Sequence, residues 1–108
     1  MTEATFMQVS TTVAQKHDAV RIARILLEKK LSACTQIIGP IVSVYVWKGK
    51  QQTSKEWLCV AKCRKDQYKD IEKELKAIHP YALPEIIAVP IVAGSKDYLK
   101  WMEEVLRK

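Results

Sequence analysis

An α+β fold of four antiparallel strands, with two crossover helices and a further helix at the C-terminal end, is predicted by three features of the sequence. Apolar residues alternate with period two in some segments and recur with the 3.6-residue period of a helix in others, in the order βαββαβα. Lys48-Gly49-Lys50 places a glycine turn between two long extended segments. Pro80 and Gly94-Ser95 punctuate the second half, one as a helix stop and the other as a break with an N-cap.

Each element follows from its own residues. Phe6 to Val13 is β-branched and apolar without helical period, a first strand. Ala19, Ile22, Ala23, Leu26 and Leu27 then form one helical stripe, with Lys29 and Lys30 in its last turn facing the negative end of the dipole. From Cys34 to Trp47 the chain is extended, and Val42, Val44 and Val46 alternate with Ser43, Tyr45 and Trp47. Gly39-Pro40 interrupts that run, marking a bulge or an edge. The return strand reaches about Arg64, with Trp57, Cys59, Ala61 and Cys63 on one face and Leu58, Val60 and Lys62 on the other.

Tyr68, Ile71, Leu75 and Ile78 repeat at 3, 4, 3 in a second amphipathic helix that Pro80 ends. Glu85 to Val92 is almost continuously apolar, as expected of a strand buried on both faces. The last helix is expected to turn Tyr98, Leu99, Met102, Val105 and Leu106 inward. This order is the split βαβ, a ferredoxin-like sandwich with an extra C-terminal helix, in one domain spanning 1–108.

Composition narrows the function classes. Hydrophobic residues make up 48% and charged residues 28%, so a folded soluble chain is expected rather than a disordered one. No apolar run approaches the roughly 18–20 residues that cross a bilayer, and no leader pattern is read at the N-terminus. Three cysteines within apolar stretches suit buried thiols in a reducing compartment, which points to the cytoplasm.

The net charge of +6 raises a nucleic-acid reading. However, Lys65, Lys69, Lys73 and Lys76 are interleaved with Asp66, Asp70, Glu72 and Glu74, the pattern of a solvated helix face. The third strand, Glu56 to Cys63, also lacks the Gly-Phe-rich pattern of an RNA-stacking strand, and the first strand offers only Phe6. No nucleic-acid or membrane partner is expected.

Three blocks carry a family resemblance. Leu31-Ser32-Ala33-Cys34-Thr35-Gln36-Ile37-Ile38 leads into Ser43-Val44-Tyr45-Val46-Trp47-Lys48-Gly49. His79-Pro80-Tyr81 precedes Pro84-Glu85-Ile86-Ile87, and Gly94 precedes Asp97-Tyr98-Leu99 and Trp101. In this order over nearly the whole chain, they resemble the CutA family of divalent-cation tolerance proteins. The resemblance implies a ferredoxin-like homotrimer related in architecture to PII-type signalling proteins, linked to tolerance of copper and other divalent cations. It implies no catalytic activity. In copper-binding bacterial members the ligands look like a first-strand cysteine and a His-His pair before Pro-Tyr. The corresponding residues here are Ser10 and Ile78-His79, so His79 is the remaining metal candidate. A hydroxyl is a poor ligand for soft copper. His79 has a second reading, as a helix-terminal residue engaging free carbonyls.

Other chemistry has little support. Cys59 and Cys63, four residues apart on one strand face, stand about 13 Å apart, whereas two thiolates on one zinc are at most about 4.6 Å apart. Cys34 falls diagonally across the hairpin from Cys63, without histidine support. There is no GxSxG elbow, HExxH pair or Gly-rich phosphate loop, and His17 lies among polar residues, so an enzyme is not expected. Trp47, Lys62, Tyr81, Glu85, Tyr98 and Trp101 place polar-tipped aromatics and charges within apolar segments. If they converge at a subunit junction they form a pocket for a small anionic ligand or a protein segment. Alternatively Tyr98 and Trp101 anchor the last helix, and Glu85 forms a structural ion pair with Lys62.

Geometry adds a reason for a trimer. The strands flanking Gly49 run about 13 residues each, roughly 43 Å, whereas a globule of about 100 residues has a radius of gyration near 13 Å. The hairpin is therefore expected to overrun its own domain and to pair with neighbours, with three-fold closure ending the association.

Overall fold

The computed structural model describes residues 5–106. Its elements are β1 (Phe6–Val13), α1 (Lys16–Glu28), β2 (Cys34–Trp47), β3 (Lys50–Arg64), α2 (Tyr68–Ile78), β4 (Ile87–Pro90) and α3 (Lys96–Val105). The strands form one sheet in the order β2-β3-β1-β4, every neighbouring pair antiparallel. This is the split βαβ arrangement with the additional C-terminal helix.

Strand alternation divides the molecule into two layers. Val9, Val13, Cys59, Ala61 and Cys63 face α1 and α2 and bury Ile22, Leu26, Ile71 and Leu75. At about 1.5–3 kcal/mol for each large side chain taken from water, this layer supplies most of the apolar stabilisation. Phe6 points to the opposite face and joins Ala33, Met102 and Leu106, so α3 covers one end of that face. Leu27 of α1 and Tyr98 and Val105 of α3, expected inward, are exposed; Met102 and Leu106, with Leu99 beside them, form the buried stripe of α3. The 3.6-residue period is right in both helices, but the stripe is narrower than the run of apolar residues.

Local chemistry sets the boundaries. Lys48 and Gly49 both take positive φ, 51° and 78°, the two-residue hairpin turn whose twist matches the strands. Gly39-Pro40 interrupts the β2–β3 register between Ile38 and Ile41, as a bulge should. A Cβ on Gly39 would lie 2.5 Å from the Trp57 ring, so only glycine fits beneath it. The Ser95 side chain accepts the Tyr98 backbone N–H and caps α3. Lys29 and Lys30 lie just beyond α1 instead of within its last turn. Lys30 takes the left-handed conformation, while its N–H and that of Leu31 return to Leu27 and Leu26.

The fourth strand departs from expectation. It comprises only Ile87–Pro90, pairs along one edge with β1, and is exposed throughout, with Ile87 at 55% and Val89 at 51%. Among the described residues no element covers the part of the sheet face that α3 leaves open. The apolar run signals a demand for burial that one copy does not meet.

The hairpin is the second such region. Among the described residues, β1 accompanies β3 only from Arg64 to Trp57, and beyond that Ile41–Trp47 and Lys50–Glu56 pair solely with each other. This two-stranded arm extends a molecule whose longest dimension is 44 Å. Val42, Val44 and Val46 on it are 65–72% exposed.

Candidate functional site

Where the arm leaves the sheet, the loop after α2 folds back beside it, and the two flank an open cavity of about 870 Å3. Tyr45 and Trp47 line it from the arm, Glu56 from β3, and Tyr81 and Glu85 from the loop. The loop's position depends on His79. Its backbone N–H completes α2 on Leu75 at 2.8 Å, and its Nδ1 accepts the Tyr81 N–H at 3.0 Å. An atom that accepts from an N–H carries no proton, so in the neutral ring the proton is on Nε2. Nε2 lies 3.0 Å from the Thr12 carbonyl and 2.9 Å from Thr11 Oγ1, and donates to the β1 strand end. Burial holds the ring's pKa below its ordinary 6.5. His79 therefore latches the 80–85 loop to the sheet.

Tyr81 carries the latch into the cavity. Its hydroxyl donates to Glu56 at 2.8 Å, and burial, with Glu56 beside it, raises its pKa. Glu56 is only 8% exposed, yet among the described residues no Lys, Arg or His forms an ion pair with it. A buried carboxylate normally keeps a countercharge, because leaving water is costly without one.

The six pocket residues expected from sequence separate into two groups. Trp47, Tyr81 and Glu85 line the cavity. Lys62, Tyr98 and Trp101 form a different cluster beside α3: Lys62 Nζ donates to the Tyr98 hydroxyl at 3.2 Å and lies 5.1 Å from its ring centre. Tyr98 in turn packs on Trp101 at 5.4 Å. The Glu85–Lys62 ion pair is not formed; Glu85 is exposed and Lys62 is committed to Tyr98. Glu56 was missed by sequence reasoning. It is the sole acidic residue on β3, placed where apolar alternation begins, and that is the signal that marks it.

The metal candidates do not converge. Both His79 ring nitrogens are engaged within the protein, and neither has a free lone pair in this arrangement. Ser10 alternates to the sheet face opposite Thr11, which holds His79. The Ile78 side chain packs on the core, and its carbonyl accepts Arg21 Nη2 at 2.7 Å. Among the described residues no three His, Cys, Asp or Glu side chains group as a metal site. The donor set thus does not fit a tightly held copper ion. Burial raises the pKa of Cys59 to about 11 and of Cys63 to about 12, so both stay thiols at neutral pH. Cys34 pairs with Lys62, which places it on the face opposite Cys63 rather than beside it.

The arm, the His79-Pro80-Tyr81 loop and the α3 cluster lie on the three blocks that carry the family resemblance. The family model for CutA1, the divalent ion tolerance protein, matches residues 7–105. The chain belongs to the CutA family. A divalent-cation tolerance protein CutA of Archaeoglobus fulgidus is 40% identical over 95 residues, covering 88% of this chain and 92% of that one. Its counterpart in Thermus thermophilus is 36% identical over 96 residues, covering 89% and 93%. The crystal structure of CutA1 from Oryza sativa superposes with a TM-score of 0.94 at 37% identity, covering 97% of this chain and 96% of that one. Membership in CutA accounts for the fold and the order of the three blocks. The chemistry of the cavity is a separate matter, because a fold does not fix a ligand. No helix among the described residues is long and apolar enough to cross a membrane.

Proposed function

We propose that the protein is a non-enzymatic, cytoplasmic homotrimer that takes part in the divalent-cation response by binding at its subunit junctions, without a resident high-affinity copper site. The observation that carries this reading is the two-stranded arm. It leaves both outer backbone edges unpaired and three valines in water, an arrangement that invites strand addition by another copy. The open sheet face, with Ile87 and Val89, supplies a second apolar surface. Three-fold closure would satisfy every copy equally and end the association without fibres.

The cavity at the root of the arm supports the ligand-binding part, in the manner of a PII-like signalling or assembly module. It is concave, partly aromatic and furnished with a few fixed polar groups. The engaged ring of His79 argues against metal capture there.

Sedimentation at low micromolar concentration should give about 37 kDa, three times the 12.4 kDa chain. A monomer mass would refute the assembly. Anaerobic titration with Cu(I) against a competing chelator should reveal no sub-micromolar site. A tight site abolished by His79→Ala would overturn the metal part of the proposal.

A further inference from the structure

The cavity between the arm and the 80–85 loop has an electrostatic character opposite to that of the protein. The chain carries a net charge of +6, yet among the described residues no Lys, Arg or His lines this cavity. Two carboxylates, Glu56 and Glu85, do line it. Glu56 is over nine-tenths buried, and its hydrogen bond comes from a neutral phenol rather than a cation. The walls around the acids are Tyr45, Trp47 and Tyr81, with Leu83 and Pro84 as apolar surface.

Each feature favours the same ligand chemistry. A desolvated carboxylate without a countercharge attracts a cation more strongly than one in water. Aromatic rings add attraction through their negative faces, which is how aromatic cages hold ammonium groups. The same two carboxylates repel an anion, and the lysine that would offset them, Lys62, is engaged at Tyr98 outside the cavity. A bare metal ion is poorly served, because among the described residues no third His, Cys, Asp or Glu joins the two acids. The volume, about 870 Å3, accommodates a small organic molecule rather than a lone ammonium group.

We propose that this cavity is a binding site for a small organic cation, an ammonium group on an apolar or aromatic body. Glu56 and Glu85 meet the charge, and the Tyr45, Trp47 and Tyr81 rings meet the body. Tyr81 acts as a positioning residue, because its hydroxyl fixes the Glu56 carboxylate. The proposal rests on reading the cavity as the ligand site, and it replaces the anionic ligand expected from sequence with a cationic one.

Calorimetric titration of the full chain with phenethylammonium, 2-phenylethanol and phenylacetate tests this, because the three share a body and differ in charge. Phenethylammonium should bind at least about tenfold more tightly than 2-phenylethanol, and phenylacetate more weakly than either. Glu85→Gln, at an exposed position that leaves folding intact, should reduce the cation's affinity by about tenfold while leaving the alcohol's unchanged. Glu56→Gln should do more; if it does not fold, the Glu85→Gln comparison decides alone. Equal binding of cation and alcohol, or tighter binding of phenylacetate, would overturn the proposal while leaving the cavity a ligand site. Binding of none of the three would overturn both. If no probe binds and Glu85→Gln instead weakens self-association, the occupant is a basic side chain of a second copy, and the small-molecule site is refuted.

Discussion

The inner and outer halves of the β2–β3 hairpin share one hydrogen-bond ladder but have opposite surroundings. From Trp57 to Arg64, β3 is flanked by β1 and covered by α1 and α2, and Cys59, Ala61 and Cys63 are at most 3% exposed. From Lys50 to Lys55 the same strand has β2 alone beside it, and its residues are nearly all exposed. The inner half is stabilised by burial within the chain. The outer half has similar backbone hydrogen bonding but no cover, and isolated two-stranded ribbons are marginal in water. Within one chain the arm therefore lacks the cover that the body has.

Substitutions should separate the halves sharply. Ile22→Ala removes a fully buried side chain from the inner layer, and should cost about 2–5 kcal/mol in denaturant unfolding. Val44→Ala, on the arm, should cost below about 0.5 kcal/mol per folded chain and act instead on the concentration at which copies associate. A large unfolding cost at Val44 under conditions where the protein is monomeric would contradict the distinction.

The junction between the halves should be intermediate. Gly39→Ala forces a methyl into the Trp57 ring, and overpacking of this kind costs about 1–3 kcal/mol. Trp57→Leu in the same background should recover part of the loss, because it removes the atoms in conflict. Lack of recovery would place the cost in the backbone.

The smallest effect is expected at the latch. The folded pKa of His79 lies below the ordinary 6.5, so the unfolded chain takes up the proton first. Stability is complete above about pH 6.5 and is lost as the pH falls toward the folded value. Melting curves across that window should slope downward on acidification, and His79→Gln should flatten the slope. A slope of the opposite sign would mean that the ring is protonated in the folded chain.

The same comparison explains what was legible in the sequence. The alternation along β1 and β3, the Lys48-Gly49 turn, the Ser95 cap and the Ile71–Leu75 stripe are local, and each takes the predicted form. Demand for burial was also legible, but not which surface meets it. That is why Glu85 to Val92 reads as a buried strand and yet yields a short, exposed one. Site residues fared worse where contacts cross the sheet. Lys62 and Glu85 read as partners because both are charged within apolar runs, yet β3 alternation and the placement of α3 give Lys62 to Tyr98. Glu56 depends on Tyr81, 25 residues away, and no spacing rule links the two.

Amide hydrogen exchange along Ile41–Trp47 tests the arm's need for a neighbour most directly. In a lone hairpin the amides of β2 alternate, one set bonded to β3 and the other pointing outward to water. Strand addition by another copy would protect the outward set as well, so every position of the segment is expected to exchange slowly in the proposed trimer. Fast exchange at alternate residues, in a sample whose mass is that of the trimer, would contradict it.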